Sequence, residues 1–564
     1  MNYNLKHVPF SRFGSYMSIS YLSNQKGLSE GIYIRNIRNG DDTNGEIFKI
    51  DLIQNEKPVP FNANMSPTEL VLKSDGGYIK IIFPEDDYIR FYGENVGLRL
   101  TLVAEEYDNA FSHKNSSWQV NVFSEKIRFL LSPIKGLLKV DSKWLINSST
   151  YVIADFVPDK MTKVTEGIIE EYKTVYASKN YHATFQNAKK IVESHYENWK
   201  NKTLTTSERY EDGKNIASYI TWSSVVKQEG YLTRPAMYMS KNWMTNIWSW
   251  DHCFNAMALV QNNPDLAWDQ FMIFFDLQDT SGVLPDYANN EYAYWNCSKP
   301  PIHGWTLSWM LQRNSNISQD RIKEVYDPLV KWTTYFLRYC DLSENGIPEY
   351  YHGNDSGWDN STVFQFGVPV ESPDLCAFLV LQMETLANLA EKLGISKDEK
   401  YWRKASHLLL EHLINHFWNG SRFIARYNGE PVDSGDSLLL FIPIVLGDRL
   451  PKHIREKLIK DLKEENRFLT EHGLATESIK SIYYEEDGYW RGPIWAPAMM
   501  LLIDGIAHAG DQEFASQLSQ KYCDMAQKNG MAENFNAKTG AGLRDRAFTW
   551  TSSVFLILAN EYVK

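Results

Sequence analysis

Short alternating runs of apolar and polar residues dominate the first part of the chain. Leu98–Leu102 and Trp118–Val122 alternate with a period of two, the spacing that places every second side chain on one face of a β-strand. Three further short runs are apolar or rich in β-branched residues: Tyr78–Phe83, Ile127–Leu131 and Leu137–Val140. Glycine and proline residues separate these runs, as expected at turns. Residues 1–175 are therefore predicted to form an antiparallel β-sandwich domain.

The spacing of apolar residues changes to a helical period in the second part of the chain. The clearest helix is predicted over 372–393, where apolar residues fall on one stripe. Ser372 suits the N-cap, Pro373 suits the first helical position and Gly394 suits the end. These residues predict a helix with defined ends.

Weaker helical patterns fill the rest of this part, one of them over 435–446. No fixed-period repeat stands out, so a solenoid of identical units is not expected. Helices joined alternately by short and long loops favour a helical toroid. We therefore predict a helical linker over 176–208 and a large helical domain over 209–564.

Composition narrows the class of protein. The 564 residues include 58 Lys and Arg against 70 Asp and Glu, a net charge of −12, and a nucleic-acid-binding protein would need a basic face. Five scattered cysteines without a C-x-x-C spacing predict neither a disulfide framework nor a zinc site. The N-terminus has no apolar signal segment, and the longest apolar run, 438–446, is too short to span a membrane. We expect a cytoplasmic protein that binds neither nucleic acid nor membrane.

Tryptophan and acidic residues collect in six segments between the predicted helices. Most of these segments place a carboxylate, a Trp or both beside a turn-forming Gly or Pro: 246–252, 282–287, 299–305, 357–361, 489–495 and 533–542. Loops held by a rigid scaffold often carry function. Carboxylates accept hydrogen bonds from hydroxyls, and an indole ring stacks on the C–H face of a sugar. The segments therefore indicate a carbohydrate site.

Asp359 and Glu533 are the candidates for a general acid and a general base. Glycoside hydrolysis needs one carboxylic acid that stays protonated and a second that stays ionised. Trp358 precedes Asp359 and is predicted to desolvate it, which would keep that carboxyl protonated. Asn534 and Asn536 stand beside Glu533, where they can position water or substrate. From local sequence alone, a turn Asp and a helix-end Glu are the simpler interpretations, so both catalytic assignments stay open at this point.

Further residues of the same segments are candidates for binding the sugar. They are Trp248, Trp250, Asp251, Asp286, His303, Trp358, Asn360, Trp490, Arg491 and Trp495. Asp251 can hold two hydroxyls, although an acid at a helix start is also favoured by the helix macrodipole. Arg491 can bind a catalytic carboxylate or a sugar hydroxyl, or it can make a structural ion pair. His303 can donate a hydrogen bond to a substrate hydroxyl, or it can be a structural residue of the core. Asp286 is most simply a turn residue.

Other catalytic motifs do not occur in the sequence. There is no H-E-x-x-H, no G-x-S-x-G, no phosphate-binding loop and no dinucleotide fingerprint after a strand. Residues 354–359 have the clustered oxygens of a calcium loop, but the twelfth position from Asn354 is Gln365 rather than Glu. We therefore predict no cofactor and no catalytic metal, and leave open whether a structural calcium is bound.

In their order along the chain, the motifs resemble those of family 63 glycoside hydrolases of the trehalase-like clan. The resemblance covers about 210–560 and rests on these segments: Trp248-Ser-Trp-Asp251, Gly282-Val-Leu-Pro-Asp286, Pro300-Pro-Ile-His303, Gly357-Trp-Asp-Asn-Ser361, Tyr489-Trp-Arg-Gly-Pro-Ile-Trp495 and Glu533-Asn-Phe-Asn536. It implies an (α/α)6 barrel behind a β-sandwich and inverting hydrolysis of an α-glucoside or, in some members, an α-mannoside. It implies Asp359 as general acid, Glu533 as general base, and Trp250 with Asp251 at the non-reducing sugar.

Three alternatives remain beside this interpretation. They are a trehalase or other disaccharide hydrolase of the same clan, a sugar epimerase that uses His252 and His303 as bases, and a carbohydrate-binding protein without catalysis. The sequence does not reveal the sugar, the linkage or the oligomeric state. It also leaves open whether Glu371 or Asp374 reaches the pocket.

Overall fold

The computed structural model describes residues 3–23, 28–177, 179, 181 and 184–563. The chain divides into two compact units. The first contains residues 1–201, 219–227 and 240–245, and the second contains residues 202–218, 228–239 and 246–564. The first unit thus includes the helix that begins at Phe185, within the segment predicted as a linker; residues 178, 180, 182 and 183 of that segment lie outside the described residues.

Antiparallel strands build the first unit, as the alternating runs predicted. The strands are β1 Met17–Leu22, β2 Gly31–Asn36, β3 Glu46–Gln54, β4 Lys57–Val59, β5 Asn62–Met65, β6 Leu70–Lys73, β7 Tyr78–Glu85, β8 Tyr88–Glu94, β9 Gly97–Leu102, β10 Asn109–Ser112, β11 Trp118–Val122, β12 Ile127–Lys135, β13 Leu137–Asp141, β14 Trp144–Leu145, β15 Ser148–Ser149, β16 Val152–Val157 and β17 Val164–Tyr172.

Most of these strands form two large sheets, and β14 and β15 pair separately. One has the order β1-β2-β3-β9-β16-β13 with β4 on β3, and the other has the order β10-β11-β12-β17-β8-β7-β6-β5. Aromatic contacts join the sheets: the ring centroids of Phe48 and Phe129 are 5.3 Å apart, and those of Phe91 and Phe156 are 4.8 Å apart. The inward-facing side chains of both sheets therefore share one apolar core.

Helices follow the sheets. They are α1 Phe185–Lys202, α2 Glu211–Ser223, α3 Asp251–Leu259, α4 Pro264–Asp276, α5 His303–Arg313, α6 Gln319–Tyr339, α7 Pro373–Leu393, α8 Ser396–Phe417, α9 Lys452–Leu462, α10 Ala496–His508, α11 Gln512–Asn529 and α12 Thr549–Glu561. Short strands in the loops of the second unit are Ala236–Met237, Ile247–Trp248, Tyr287–Ala288, Ala293–Tyr294, Glu349–Tyr350, Val370–Glu371, Arg426–Tyr427, Glu430–Pro431, Ile494–Trp495, Asn534–Phe535 and Gly542–Leu543.

The predicted helix over 372–393 is confirmed as α7, which ends at Gly394 with a left-handed φ of 74°. The segment predicted as a helix over 435–446 is instead a 3₁₀ segment, Leu438–Arg449. Pro443 removes one backbone donor within it, and Gly447 leaves helical geometry with φ 55° and ψ −125°. These two residues explain the departure from an α-helix.

A closed ring of packed elements forms the centre of the second unit. The ring runs α3, α5, α7, the 3₁₀ segment, α10 and α12; each member packs on the next, and α12 packs on α3. Every residue of α3 is buried, and so are nearly all residues of α10 and α12. Helices that are buried all round belong to the core of a large domain. Among the described residues, no helix has the length and apolar character needed to cross a lipid bilayer.

Asp504 of α10 ties three elements of this unit together. It accepts hydrogen bonds from Nε1 of Trp305 at 2.7 Å and from the hydroxyl of Tyr562 at 2.6 Å, and it lies 3.4 Å from Nδ1 of His508. Burial alone would raise the pKa of Asp504, but His508 and the hydrogen bonds lower it below its ordinary value. The hydrogen bond and charge of Asp504 in turn raise the pKa of His508 to about 9.

The raised pKa of His508 predicts a stability that depends on pH. The pKa of His508 in the folded protein lies above the unfolded value of 6.5. The contribution of His508 to the free energy of unfolding is therefore complete below about pH 6.5 and is lost as the pH rises through about 9. We expect His508→Gln to lower the free energy of unfolding by about 1 kcal/mol near pH 6, a modest figure because the imidazole is half exposed. Urea unfolding at several pH values measures this, with the exposed His453→Gln as control. An equal loss at about pH 6 and about pH 10 would contradict the assignment.

Candidate active site

The predicted site segments lie in the loops that lead into the ring helices. Trp250 and Asp251 stand at the start of α3, His303 at the start of α5 and Trp495 just before α10. Short strands fasten these loops to others: Ile247–Trp248 pairs with Tyr287–Ala288, and Ile494–Trp495 pairs with Asn534–Phe535. Segments that are far apart in the sequence are thus brought together.

Lys299 lies among three acidic residues of the site. Its Nζ is 3.3 Å from Oδ1 of Asp286 and 3.7 Å from Oδ1 of Asp359, and it donates to the backbone oxygen of Asn354 at 3.0 Å. Burial lowers the pKa of this ammonium, but the charges of Asp359, Asp286 and Asp251 outweigh burial and raise it above its ordinary value. The lysine therefore stays charged at neutral pH.

Asp251 and Asp286 present buried carboxylates to this lysine. Burial raises the pKa of both residues, and Lys299 partly opposes the rise. Oδ2 of Asp286 accepts from Nδ2 of Asn354 at 2.6 Å, whereas Oδ2 of Asp251 has no hydrogen-bond partner among the described residues. Leaving a buried acceptor unsatisfied costs about 1–3 kcal/mol, so a hydroxyl donor on a bound ligand would be favoured there.

Glu533 occupies a buried position just before the strand Asn534–Phe535. Its backbone N–H donates to the backbone oxygen of Asp545 at 2.8 Å, and only 6% of the residue is exposed. Burial raises the pKa of Glu533 to about 8; the charges of Asp545 and Asp359 add to the rise, and Arg544 opposes it. Because the charge of Asp359 acts on Glu533, the two predicted catalytic carboxyls belong to one electrostatic site.

The surroundings of Asp359 differ from the sequence prediction. Trp358 was expected to desolvate it, but the Trp358 ring packs against Trp490, with centroids 4.8 Å apart, and is fully buried. The Asp359 side chain instead keeps 30% of its surface exposed and faces the Lys299 ammonium. The predicted apolar cover by Trp358 is therefore wrong, and a cation takes its place.

The predicted tryptophans form a packed wall. Trp490 and Trp495 stack with centroids 4.1 Å apart, and Trp250 lies 6.2 Å from Trp490. Gly357 permits this packing at φ 72°, because a Cβ there would lie only 2.6 Å from Cζ2 of Trp250. These rings cover one another, so they support the loops. Trp248 is half-buried and stacks on Tyr287, which offers a more open aromatic face.

Hydrogen bonds of Asn360 and Arg491 join the loop that contains Asp359 to the loop 488–491. The side chain of Asn360 accepts from the backbone N–H of Trp490 at 2.9 Å and donates to the backbone oxygen of Gly488 at 3.0 Å. Nε of Arg491 donates to the backbone oxygen of Asn360 at 2.6 Å. Both residues were predicted to bind substrate; in the structure they fasten the Asp359 loop to residues 488–491.

His303 is part of the helical core, which corrects its prediction as a substrate-binding residue. Its Nδ1 accepts from Nε1 of Trp332 at 3.1 Å, and its other ring nitrogen donates to the backbone oxygen of Ser249. Burial lowers the pKa of His303 to about 3, as it does for His252. Both imidazoles are therefore neutral, and His303 has no ring N–H left for a sugar hydroxyl.

Glu371 and Asp374, for which the sequence did not decide whether they reach the pocket, both have hydrogen-bond partners. Glu371 binds Nε2 of His416 and Nδ2 of Asn345, each at 2.6 Å. Asp374 accepts from the hydroxyl of Tyr350 at 2.8 Å. Within the described part of the chain, no group of three or more His, Cys, Asp or Glu side chains could hold a metal ion.

Sequence reasoning missed Lys299, Asn354, Tyr489 and Arg544. Lys299 opens the segment 299–305, from which only His303 was chosen; a lysine directly before two prolines was the available signal. Tyr489 stands beside the chosen Trp490, and the charges of Asp359 and Glu533 add to the burial that raises its pKa. Arg544 lies 4.9 Å from the Tyr489 ring centroid and donates to Oδ1 of Asn534 at 3.1 Å.

Comparison with known proteins agrees with these features. Residues 244–551 match the mannosylglycerate hydrolase MGH1-like glycoside hydrolase domain. A mannosylglycerate hydrolase from Rubrobacter radiotolerans is 21% identical over 59% of this chain and 98% of its own length. A periplasmic trehalase from Xanthomonas oryzae pv. oryzae is 22% identical over 56% of this chain and 66% of its own length.

Two solved structures share the fold. A GH63 mannosylglycerate hydrolase from Thermus thermophilus, in complex with Tris and D-glycerate, has a TM-score of 0.52 at 15% identity and covers 62% of this chain and 98% of its own. A bacterial glucoamylase complexed with acarbose has a TM-score of 0.64 at 11% identity and covers 98% of this chain and 93% of its own. Because the family match spans more than half of the sequence, the chain belongs to the MGH1-like glycoside hydrolases of family 63.

Proposed function

We propose that the protein is an inverting α-glycosidase that hydrolyses a small α-glucoside or α-mannoside, with Asp359 as general acid and Glu533 as general base. The observation that carries the proposal is that two carboxyls from distant loops are brought into one site: Asn360 binds the backbone of Gly488 and Trp490, and the strand Ile494–Trp495 pairs with Asn534–Phe535, directly after Glu533. The charge of Asp359 also adds to the burial that raises the pKa of Glu533. Glycoside hydrolysis requires such a pair, with one proton between the two groups. Membership of a glycoside hydrolase family supports the proposal.

The proposal includes an (α/α)6 barrel as the catalytic domain and a β-sandwich before it. The closed ring of five helices and the 3₁₀ segment supports the barrel, within the described residues. The aromatic contacts between the two antiparallel sheets support the sandwich. The glucoamylase structure, which covers nearly the whole chain, supports both parts together.

The reaction is a single displacement. Asp359 gives its proton to the glycosidic oxygen as the bond from that oxygen to the anomeric carbon breaks. Glu533 takes a proton from a water whose oxygen forms the new bond to the same carbon from the opposite face. A water fits between the groups when the carboxyls are about 6.5–9.5 Å apart. The reaction leaves the proton on Glu533, and it returns to Asp359 through solvent when the next substrate binds.

Substrate must also place the proton on the correct carboxyl. In the free site the raised pKa of Glu533, about 8, keeps the shared proton on Glu533 at neutral pH. A glycosidic oxygen that accepts from Asp359 favours the protonated form of Asp359 instead. Because coupled carboxyls titrate as a pair, protonation of one favours ionisation of the other. Substrate binding therefore prepares Asp359 as acid and Glu533 as base.

Sugar hydroxyls are the ligands proposed for Asp251 and Asp286. The unpaired Oδ2 of Asp251 supports this, because a hydroxyl would satisfy it. Trp248, Tyr287 and Tyr294 stack in a column that can meet the C–H face of a sugar. The names of the relatives, mannosylglycerate hydrolase and trehalase, put mannosylglycerate and trehalose into the substrate panel. An epimerase is disfavoured, because its proposed bases lie buried in the helical core.

The first prediction for this function concerns the product and the two carboxyls. An NMR time course on a panel of α-linked glucosides and mannosides, including mannosylglycerate and trehalose, should show hydrolysis with the β-anomer formed first. Asp359→Asn and Glu533→Gln should each lower kcat about 10²- to 10⁴-fold, because each removes one proton transfer. The exposed Asp320→Asn is the matched control and should keep full activity. The α-anomer as first product, or full activity in either carboxyl variant, would contradict the proposal.

A second prediction separates the roles of the two carboxyls. A glycosyl fluoride has a leaving group that needs little protonation, so removing the general acid should matter less with it. We expect Asp359→Asn to regain most of the lost activity on the α-glycosyl fluoride of the preferred sugar, while Glu533→Gln stays inactive. Initial rates of fluoride release measure this. The reverse pattern would exchange the two roles.

A third prediction follows from the raised pKa of Glu533. The reacting pair carries one proton, which Glu533 holds in the free site, so activity should fall as the pH rises through its pKa of about 8 and the pair loses that proton. The pH profile of kcat/KM reports groups of the free enzyme and should show this alkaline limb near about pH 8. The surface variant Glu513→Gln should leave the limb in place. An activity that falls already as the pH rises through about 4.5 would show that Glu533 does not hold the shared proton in these surroundings.

A further inference from the structure

Lys299 is a buried cation in contact with the acidic loops of the site. Only 4% of the residue is exposed. A buried ammonium is tolerated when its charge is paired and its N–H groups have acceptors. Lys299 meets this condition through the backbone oxygen and Oδ1 of Asn354 and through Oδ1 of Asp286. Its position is therefore determined by its partners.

These partners close a small ring of interactions. Nδ2 of Asn354 donates to Oδ2 of Asp286 at 2.6 Å, while Lys299 binds the other oxygen of Asp286 and the side-chain oxygen of Asn354. Asp355 reinforces the ring, because its Oδ1 accepts from the backbone N–H of Ser298 at 2.8 Å. Three loops are thus held at fixed distances from one another.

Asp359 lies next to this ring. Its Oδ1 is 3.7 Å from the Lys299 ammonium, beyond a hydrogen bond but close enough for strong attraction in a buried site. Asp359 lies three residues after the end of the 3₁₀ turn Gly353–Ser356, which contains Asn354. Lys299 therefore binds the turn that precedes Asp359 and also places a positive charge beside the Asp359 carboxyl.

Lys299 also balances a crowded set of negative charges. Asp251, Asp286 and Asp359 all contribute to raising its pKa, so all three lie within reach of its charge. Carboxylates this close repel one another, and a cation between them lowers that repulsion. Without Lys299 the carboxylates would move apart or take up protons.

We propose that Lys299 is a positioning residue of the hydrolytic site: its ammonium locks the Asp286–Asn354 pair and holds the carboxylate of Asp359 where the general acid is needed. The inference rests on the proposed function for the chemistry and on the contacts above for the geometry. Lys299 acts through Asp359 and takes no part in proton transfer.

The test uses the full-length enzyme and two substitutions of Lys299. Lys299→Met keeps the length of the side chain and removes its charge, so kcat/KM should fall about 10²-fold, the cost of a carboxyl misplaced by about 1 Å. The alkaline limb of the pH profile, on which the carboxyl pair loses its shared proton, should move to higher pH because a nearby cation that favours ionisation is gone. Lys299→Arg keeps the charge and should return the limb toward the wild-type position.

Lys241→Met is the matched control. Lys241 is also a fully buried lysine, but it lies in the first unit and donates to the hydroxyl of Ser11 at 3.1 Å and the backbone oxygens of Arg12 and Val225 at 3.2 and 3.4 Å. Its substitution should lower Tm without moving the pH profile of the folded enzyme. If Lys299→Met also lowers only Tm, with kcat/KM and both pH limbs unchanged, the proposal is overturned.

A second measurement needs no substrate. In ¹³C NMR of carboxyl-labelled aspartate, with the Asp359 signal assigned by its loss in Asp359→Asn, the chemical shift of that carboxyl at one fixed pH should change in Lys299→Met and return toward the wild-type value in Lys299→Arg. If the wild type hydrolyses no substrate of the panel but this chemical shift changes, the proposed function fails and the placement of Lys299 stands. If the wild type hydrolyses its substrate and the chemical shift does not change, the function stands and the proposal for Lys299 fails.

Discussion

One buried ammonium, that of Lys299, joins the acidic loops of this active site. Burying an ion costs several kcal/mol even after the protein relaxes, so the position is tolerated only with close partners. Asn354 accepts the hydrogen bonds of this ammonium, Asp286 forms an ion pair with it at 3.3 Å, and the nearby carboxylates balance its charge. The same interaction that makes the burial tolerable also sets the distance of Asp359 from the rest of the site.

The helical ring explains why such a site forms at the loops. Its helices are buried almost all round, so their sequences serve packing and leave little room for chemistry. The segments that enter them can carry polar groups, and the positive end of a helix macrodipole favours an acid at the first position, where Asp251 stands. Short strand pairs then fix these loops to one another, as between Ile494–Trp495 and Asn534–Phe535.

The surroundings of Asp359 and Glu533 do not by themselves place the proton on the residue that we propose as the acid. Glu533 is the more buried group and holds its proton to about pH 8, whereas Asp359 faces a cation. A site in which one proton can lie on either carboxyl allows the substrate to decide its position. In the mechanism that we propose, the burial of Glu533 adds to its reactivity, because a buried carboxylate released from its proton is a stronger base than an exposed one.

Local patterns in the sequence predicted local structure well. A period of two in Leu98–Leu102 and the end signals around α7 were sufficient, because both features depend on neighbouring residues. The 3₁₀ segment was missed because Pro443 and Gly447 interrupt an otherwise helical apolar pattern.

For the site, residues in local motifs could be chosen from the sequence, but contacts between distant residues could not. Asp359 and Glu533 were candidates from their local sequence and were assigned roles through motifs that resemble a family, and the burial of Glu533 was not readable from its neighbours. Lys299 was missed because its partners, among them Asn354 and Asp359, are distant in the chain. His303 and Asn360 were assigned to substrate because the contacts that occupy them, with Trp332 and Trp490, are also long-range.

A crystal structure of Glu533→Gln with an intact α-glycoside tests the central claim most directly. We expect the glycosidic oxygen to lie within hydrogen-bond distance of the Asp359 carboxyl and a hydroxyl of the sugar to donate to Oδ2 of Asp251. We also expect a water beside residue 533, on the opposite face of the anomeric carbon. A carboxyl separation of about 5 Å with no room for that water, or a glycoside bound away from Asp359, would contradict it.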